Sequence, residues 1–140
     1  CNLSLLVATP GCPTQSWHAD GGHVSLTQHK QCHVFNVFIP LVDVPNKMGP
    51  TEIRPGTHYH TRNLAPMMLA AKARRTLRQP VIPQLKMGDA LIFDYRVLHR
   101  GRANMSDEDD DEEECVDGKD LGRDRPVLVL TFARRWFVDV

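Results

Sequence analysis

Short apolar runs broken by turns containing Gly, Pro and Asp recur along the whole chain. Leu3 to Ala8 predicts a short buried strand, ended by Pro10-Gly11. His33 to Val42 (HVFNVFIPLV) is the clearest long strand, rich in β-branched and aromatic side chains, with Pro40 suggesting an edge position or a bulge. Gly49-Pro50 marks a turn, Thr51 to Arg54 a short strand, and Pro55-Gly56 a second turn. Leu64 to Arg78 has helical composition, with Met68, Leu69, Ala73 and Leu77 at helical spacing. Val81 to Leu85 and Ala90 to Tyr95 predict strands either side of the Met87-Gly88-Asp89 turn, and Val127 to Ala133 (VLVLTFA) predicts a terminal core strand. Many short strands with regular turn signals and one inserted helix point to a mainly β protein, a barrel or a sandwich.

Length and charge narrow this further. With 140 residues and 41% hydrophobic content the chain is expected to form a single domain, 1–140, around one modest core. It holds no apolar run near the roughly 18 residues that a membrane span needs, and Leu3 to Ala8 is too short for a signal sequence. A first residue of Cys rather than Met suggests a fragment, so its start carries no address. The four cysteines (1, 12, 32 and 115) form no C-x-x-C pair, which favours reduced thiols and an intracellular, cytoplasmic setting. Asp107 to Glu114 is an unbroken run of eight acids. Without it, 9 acids face 17 Lys and Arg, so the zero net charge conceals a basic body. The polar segment 106–122 around that run is expected to be a disordered acidic insertion loop. Lys72, Arg74, Arg75 and Arg78 read as a solvated helix face, and no interleaving of basic and aromatic residues supports nucleic-acid binding.

Chemistry concentrates in His18-Ala19-Asp20. On an extended chain residues i and i+2 face the same way, so one imidazole and one carboxylate converge. His99, in Leu98-His99-Arg100-Gly101 after a strand-like run, is the candidate third ligand. Two histidines and one carboxylate make the facial triad of non-haem Fe(II) oxygenases, which leaves coordination positions open for reactants.

The order of motifs carries a resemblance. Gln15-Ser16-Trp17-His18-Ala19-Asp20-Gly21-Gly22-His23 is followed by the segment from Gly49 to His58 (GPTEIRPGTH). Lys86 to Asp94 (KMGDALIFD), His99 to Asn104 (HRGRAN) and Asp124-Arg125-Pro126 complete the series. From about Thr14 onward this order resembles the phytanoyl-CoA dioxygenase (PhyH-like) family of Fe(II)/2-oxoglutarate-dependent oxygenases, interrupted by the acidic insertion.

The resemblance implies a double-stranded β-helix, a jelly-roll barrel of the cupin type, here lacking the family's N-terminal part. It implies Fe(II) held by His18, Asp20 and His99, with 2-oxoglutarate as co-substrate, ascorbate in support, and O2 and a small organic molecule as the other reactants. The family's arginine for the distal carboxylate of 2-oxoglutarate matches Arg125, with Arg123 as the alternative two residues earlier. Asn36 falls where the family carries a side chain near the co-substrate. Related halogenases replace the metal-binding carboxylate with a small residue, so Asp20 favours hydroxylation or a related C–H oxidation. His58, in a turn like the family's Pro-Gly-Ser-His, is read as structural, as are His60, His29, His33 and the nearby His23. Trp17 and Gln15 are read as packing and turn residues. The competing readings are a non-catalytic cupin-like metal-binding barrel, a zinc hydrolase or isomerase on the same ligands, and a fragment that no longer folds. Oligomeric state and substrate are not legible in the residues.

Overall fold

A computed structural model describes residues 1–25, 27–59, 69, 73, 75–106 and 123–138. Among the described residues six strands form: β1 (Asn2–Ala8), β2 (Val34–Pro40), β3 (Thr51–Ile53), β4 (Leu91–Asp94), β5 (His99–Gly101) and β6 (Arg125–Ala133). They make a four-stranded sheet in the order β1-β6-β2-β4 and a two-stranded sheet of β3 and β5, with every pairing antiparallel. Among the described residues no helix is long and apolar enough to cross a membrane.

Register decides which side chains meet. Asn36 lies opposite Thr131 and Phe38 opposite Val129, while Asn2 lies opposite Thr131 and Ser4 opposite Val129. Because side chains alternate, Arg125, Val127, Val129 and Thr131 of β6 share one face with Asn36 and Phe38 of β2. That face looks across a cavity at Thr51 of β3 and at His99 and Gly101 of β5. Val34, Phe93, Val97, Leu98 and Val127 are buried in the core at the cavity's margins.

Several expectations are revised. The Leu3–Ala8 strand exists but is an exposed edge, with Leu3 61% and Leu5 57% accessible. Its apolar side chains at 3, 5 and 7 lie on the sheet's outer face, whereas Asn2, Ser4 and Leu6 line the cavity. β2, for which Pro40 suggests an edge position or a bulge, is an inner strand flanked by β6 and β4. Pro40 is its last residue, so the missing N–H costs the ladder little, and its carbonyl still accepts from Gly88 N at 2.9 Å. Val81–Leu85 forms no strand. Pro80 and Pro83 remove donors around it, leaving an isolated bridge in which Val81 and Ile53 exchange bonds of 2.8 and 2.9 Å. The terminal strand starts two residues early and so takes in Arg125. The expected helix 64–78 lies largely outside the described residues, and Arg75, at φ 55, is not helical. The acidic run also lies outside them.

Candidate active site

His18 reaches the site through a main-chain bridge. Its N–H donates to the His99 carbonyl (3.1 Å) and the His99 N–H donates to the His18 carbonyl (2.9 Å). Residues paired this way point their side chains to the same side, and the two rings lie 4.5 Å apart between centroids. Asp20, two residues beyond His18, is secured by its own N–H to the Tyr95 carbonyl at 3.0 Å. Its carboxylate lies 3.7 Å from His18 Nε2 through Oδ1 and 3.5 Å from His99 Nε2 through Oδ2. The three potential ligand atoms all fall within 4.8 Å of one another, a span one divalent ion can bridge.

Backbone bonds select the tautomers. His18 Nδ1 meets the Ser16 carbonyl at 2.9 Å and His99 Nδ1 meets the Val97 carbonyl at 3.0 Å. A carbonyl only accepts, so each Nδ1 carries the proton and each Nε2 keeps its lone pair facing the other ligands. His99 is 3% exposed and packs against Phe93 and Phe38 at centroid distances of 4.8 and 5.8 Å. Burial there holds its imidazole below the ordinary pKa, which favours the neutral form that metal binding needs.

The triad lies in a cavity of about 320 Å³ whose wall includes Gln15, Asn36, Phe38, Tyr95, Arg125, Val129 and Thr131. Arg125 is 4% exposed, and among the described residues Nη1 donates to the Met48 carbonyl at 3.3 Å. Its Nε has no partner among the described residues, and no described carboxylate forms an ion pair with it. Burial also pulls its pKa below the ordinary value. A guanidinium desolvated in this way calls for an anion to complete it. Gly101 makes room for it, because a Cβ there would lie 2.9 Å from Arg125 Nη2 and 3.1 Å from Gln15 Oε1. Arg123 lies outside the cavity lining, and its carbonyl accepts from Asn104 Nδ2 at 2.9 Å.

Asn36, 1% exposed, donates from Nδ2 to Asp20 Oδ2 at 2.5 Å and accepts at Oδ1 from the Thr131 hydroxyl at 2.8 Å. Gln15 lines the cavity and fastens β5 by accepting the Gly101 N–H at 2.8 Å. The guanidinium groups of Arg54 and Arg100 lie over the Trp17 ring, 4.8 and 4.5 Å from its centre.

The other described histidines are not part of the triad. His33 is buried against the Tyr95 hydroxyl at 3.1 Å. His23 Nδ1 is 3.4 Å from Arg96, and His29 packs its ring against those of His58 and Tyr59. His60 lies outside the described residues.

Three contributors escaped the residue-by-residue reading. Thr131 was legible in principle, six residues from Arg125 and so on its face. Tyr95 carried no local signal. Its hydroxyl donates to the Gly22 carbonyl at 3.0 Å, and a Cβ on Gly21 would come within 1.9 Å of its ring. Asn104, in the motif following His99, donates to the Ala8 and Arg123 carbonyls at 2.9 Å each, tying the end of β1 to the approach to β6.

Comparison with known proteins bears on the fold and the family. The chain aligns with AviO1 from Streptomyces viridochromogenes at 21% identity and a TM-score of 0.64, covering 98% of this chain and 51% of that one. A carbocyclase of nogalamycin biosynthesis, SnoK, described as non-heme and alpha-ketoglutarate dependent, matches at 19% identity and a TM-score of 0.65, covering 94% and 47%. EctD from S. alaskensis, solved with bound Fe, matches at 18% identity and a TM-score of 0.62, covering 94% and 43%. The chain thus spans about half the length of these structures, and the likeness shows a shared jelly-roll fold. The model of the phytanoyl-CoA dioxygenase (PhyH) family matches residues 3–109, and the chain belongs to that family.

Proposed function

We propose that the chain is the core of an Fe(II)/2-oxoglutarate-dependent dioxygenase that oxidises an unactivated C–H bond of a small organic molecule. The observation that carries this is the pairing, in one cavity, of an open triad with a buried arginine that lacks an acid partner among the described residues. His18 and His99 would hold iron through Nε2, and Asp20 through its carboxylate, leaving the cavity side open. Bound there, iron and 2-oxoglutarate supply the oxidising power, with O2 consumed and succinate and CO2 released; ascorbate keeps the iron ferrous.

Arg125 would fix the distal carboxylate of 2-oxoglutarate by charge-assisted hydrogen bonds, supplying the missing anion. The amide hydrogen of Asn36 that Asp20 does not take is assigned to the same co-substrate. Phe38 and Phe93 keep water from the rear of His99. Asp20 occupies the ligand position a halide would need, which supports hydroxylation or a related oxidation. EctD, also solved with 2-oxoglutarate and 5-hydroxyectoine, shows one neighbour holding these two molecules together. The free thiols of Cys1, Cys12 and Cys32 suit the reducing cytoplasm, where we place the reaction.

Anaerobic Fe(II) titration with and without 2-oxoglutarate tests the proposal. A visible charge-transfer band requiring both components, lost in His99→Ala and Arg125→Ala, is the expected result. Metal binding that ignores 2-oxoglutarate would leave only the non-catalytic metal-binding barrel.

A further inference from the structure

Asn36 breaks the apolar row that β2 presents to the cavity, with Val34 and Phe38 on either side along the same face. A fully buried carboxamide is costly unless its polar atoms are matched. Here both ends are matched, and one partner is a proposed metal ligand. An ionised carboxylate can only accept, so the atom of Asn36 facing Asp20 must be Nδ2. Oδ1 then faces the other way and needs a donor, which the Thr131 hydroxyl provides. Cross-strand register places Thr131 directly opposite Asn36, so the chain of bonds is built into the β2–β6 pairing.

Asp20 is held less by packing than His99 is. Its side chain is 35% exposed, against 4% for His99 and 40% for His18, so packing alone leaves the carboxylate free to rotate. Both histidines have their Nδ1 tied to main-chain carbonyls. For the Asp20 carboxylate, Asn36 supplies the corresponding tie.

We propose that Thr131 and Asn36 are positioning residues acting in series: Thr131 orients the Asn36 carboxamide, and Asn36 orients the Asp20 carboxylate toward the metal. The assignment rests on the proposed metal centre and goes beyond it in naming what aims the carboxylate ligand. It also predicts that the Thr131 contribution passes entirely through Asn36.

Cobalt(II) alone is the probe, because its d–d absorption reports ligand number and geometry without turnover. Cobalt affinity, band shape and the metal-free melting temperature are recorded for each variant. Asn36→Leu is expected to weaken cobalt binding about 10- to 100-fold, the range for loss of an outer partner of a metal ligand, and to change the band shape. Thr131→Val should weaken it in the same direction, Thr131→Ser should retain the affinity, and Thr131→Val should add nothing in the Asn36→Leu background. Unchanged cobalt affinity in Asn36→Leu, even with a lowered melting temperature, would reduce the pair to a structural contact and overturn the assignment. Additive effects of the two changes would overturn the series. If Asn36→Leu does not fold, Thr131→Val compared with Thr131→Ser decides the matter. Asp20→Ala separates the two levels: cobalt binding that survives it refutes the metal centre itself, whereas binding lost in Asp20→Ala but intact in Asn36→Leu refutes only the positioning role.

Discussion

Arg125 and Gly101 form one unit at the residue scale. The guanidinium is buried with a single backbone acceptor among the described residues, and Gly101 supplies the space into which Nη2 projects. Arg125→Ala should reduce 2-oxoglutarate affinity about 10- to 100-fold, the loss of a charge-assisted contact, while leaving Fe(II) affinity within about twofold. Arg125→Lys should recover only part of the loss, since an ammonium cannot make the two-pronged contact. Gly101→Ala should act in the same sense without removing any charge, because the new methyl would crowd Nη2 and Gln15 Oε1. Titrating 2-oxoglutarate into the anaerobic Fe(II) protein and following the charge-transfer band measures all three. A metal affinity that falls in parallel with co-substrate affinity would show instead that the changes disturb the triad.

At the scale of elements, the end of β4 carries a pH-dependent clamp. Arg96, 1% exposed, takes both carboxylate oxygens of Asp94, with Nη2–Oδ2 2.6 Å and Nε–Oδ1 2.8 Å. Burial alone would raise the Asp94 pKa, but the bonds from Arg96 outweigh it and hold the carboxyl at about 2, below its ordinary 3.8. The folded group thus binds its proton less readily than the unfolded one. Its stabilisation is complete above about pH 4 and disappears as pH falls through about 2, a loss of about 2 kcal/mol. Denaturant unfolding between pH 5 and 2 should show that extra slope in the native chain and not in Asp94→Asn. Equal slopes would place the acid sensitivity elsewhere. A second element-level prediction concerns the loop after Asp20: Gly21→Ala, forcing a Cβ into the Tyr95 ring, should weaken metal binding and lower the melting temperature together.

These elements also show what a sequence can disclose. His18 and Asp20 converge because a two-residue spacing has a fixed consequence on extended chain, whereas Arg125 is named through the family resemblance, with the adjoining strand favouring it over Arg123. The His18–His99 bridge, the Gly21–Tyr95 contact and the Asn36–Thr131 pair join residues about 70 to 95 positions apart, and local pattern is silent on such partners. The exposure of β1 was misread for a related reason, because an apolar run predicts a strand without saying which face the fold covers. Val81–Leu85 failed where β propensity met prolines that cannot supply ladder donors.

For the whole molecule, the four-stranded sheet is two-sided in an unusual sense. Its inner face carries the site, while its outer face exposes Leu3, Leu5 and Val7 of β1, Phe35 of β2, Ile92 of β4 and Phe132 of β6. Phe35 and Phe132 stack there at 5.2 Å. An apolar surface of that breadth should bind a hydrophobic dye in the native state. Leu5→Glu with Ile92→Lys should lower the dye signal while shifting the melting temperature by only a few degrees, since both residues are already exposed. Dye fluorescence and thermal melts on the same samples test this, and an unchanged signal would mean that the outer face is covered.

Strand β6 ends the matter with a rule about chain length. The position of Arg125 is set by its pairing with Ala8, not by its distance along the chain from His99. Residues can therefore be gained or lost between Ser106 and Arg123 without moving the guanidinium, as closing a longer connection costs little. Within β6 the tolerance vanishes. A single deletion between Arg125 and Thr131 would reverse the parity of the strand, sending one of the two to the outer face and turning Pro126, Leu128 or Leu130 inward. Natural variation in this protein should accordingly be generous in length between Ser106 and Arg123 and rigid in length from Arg125 to Thr131, even where the intervening side chains change freely.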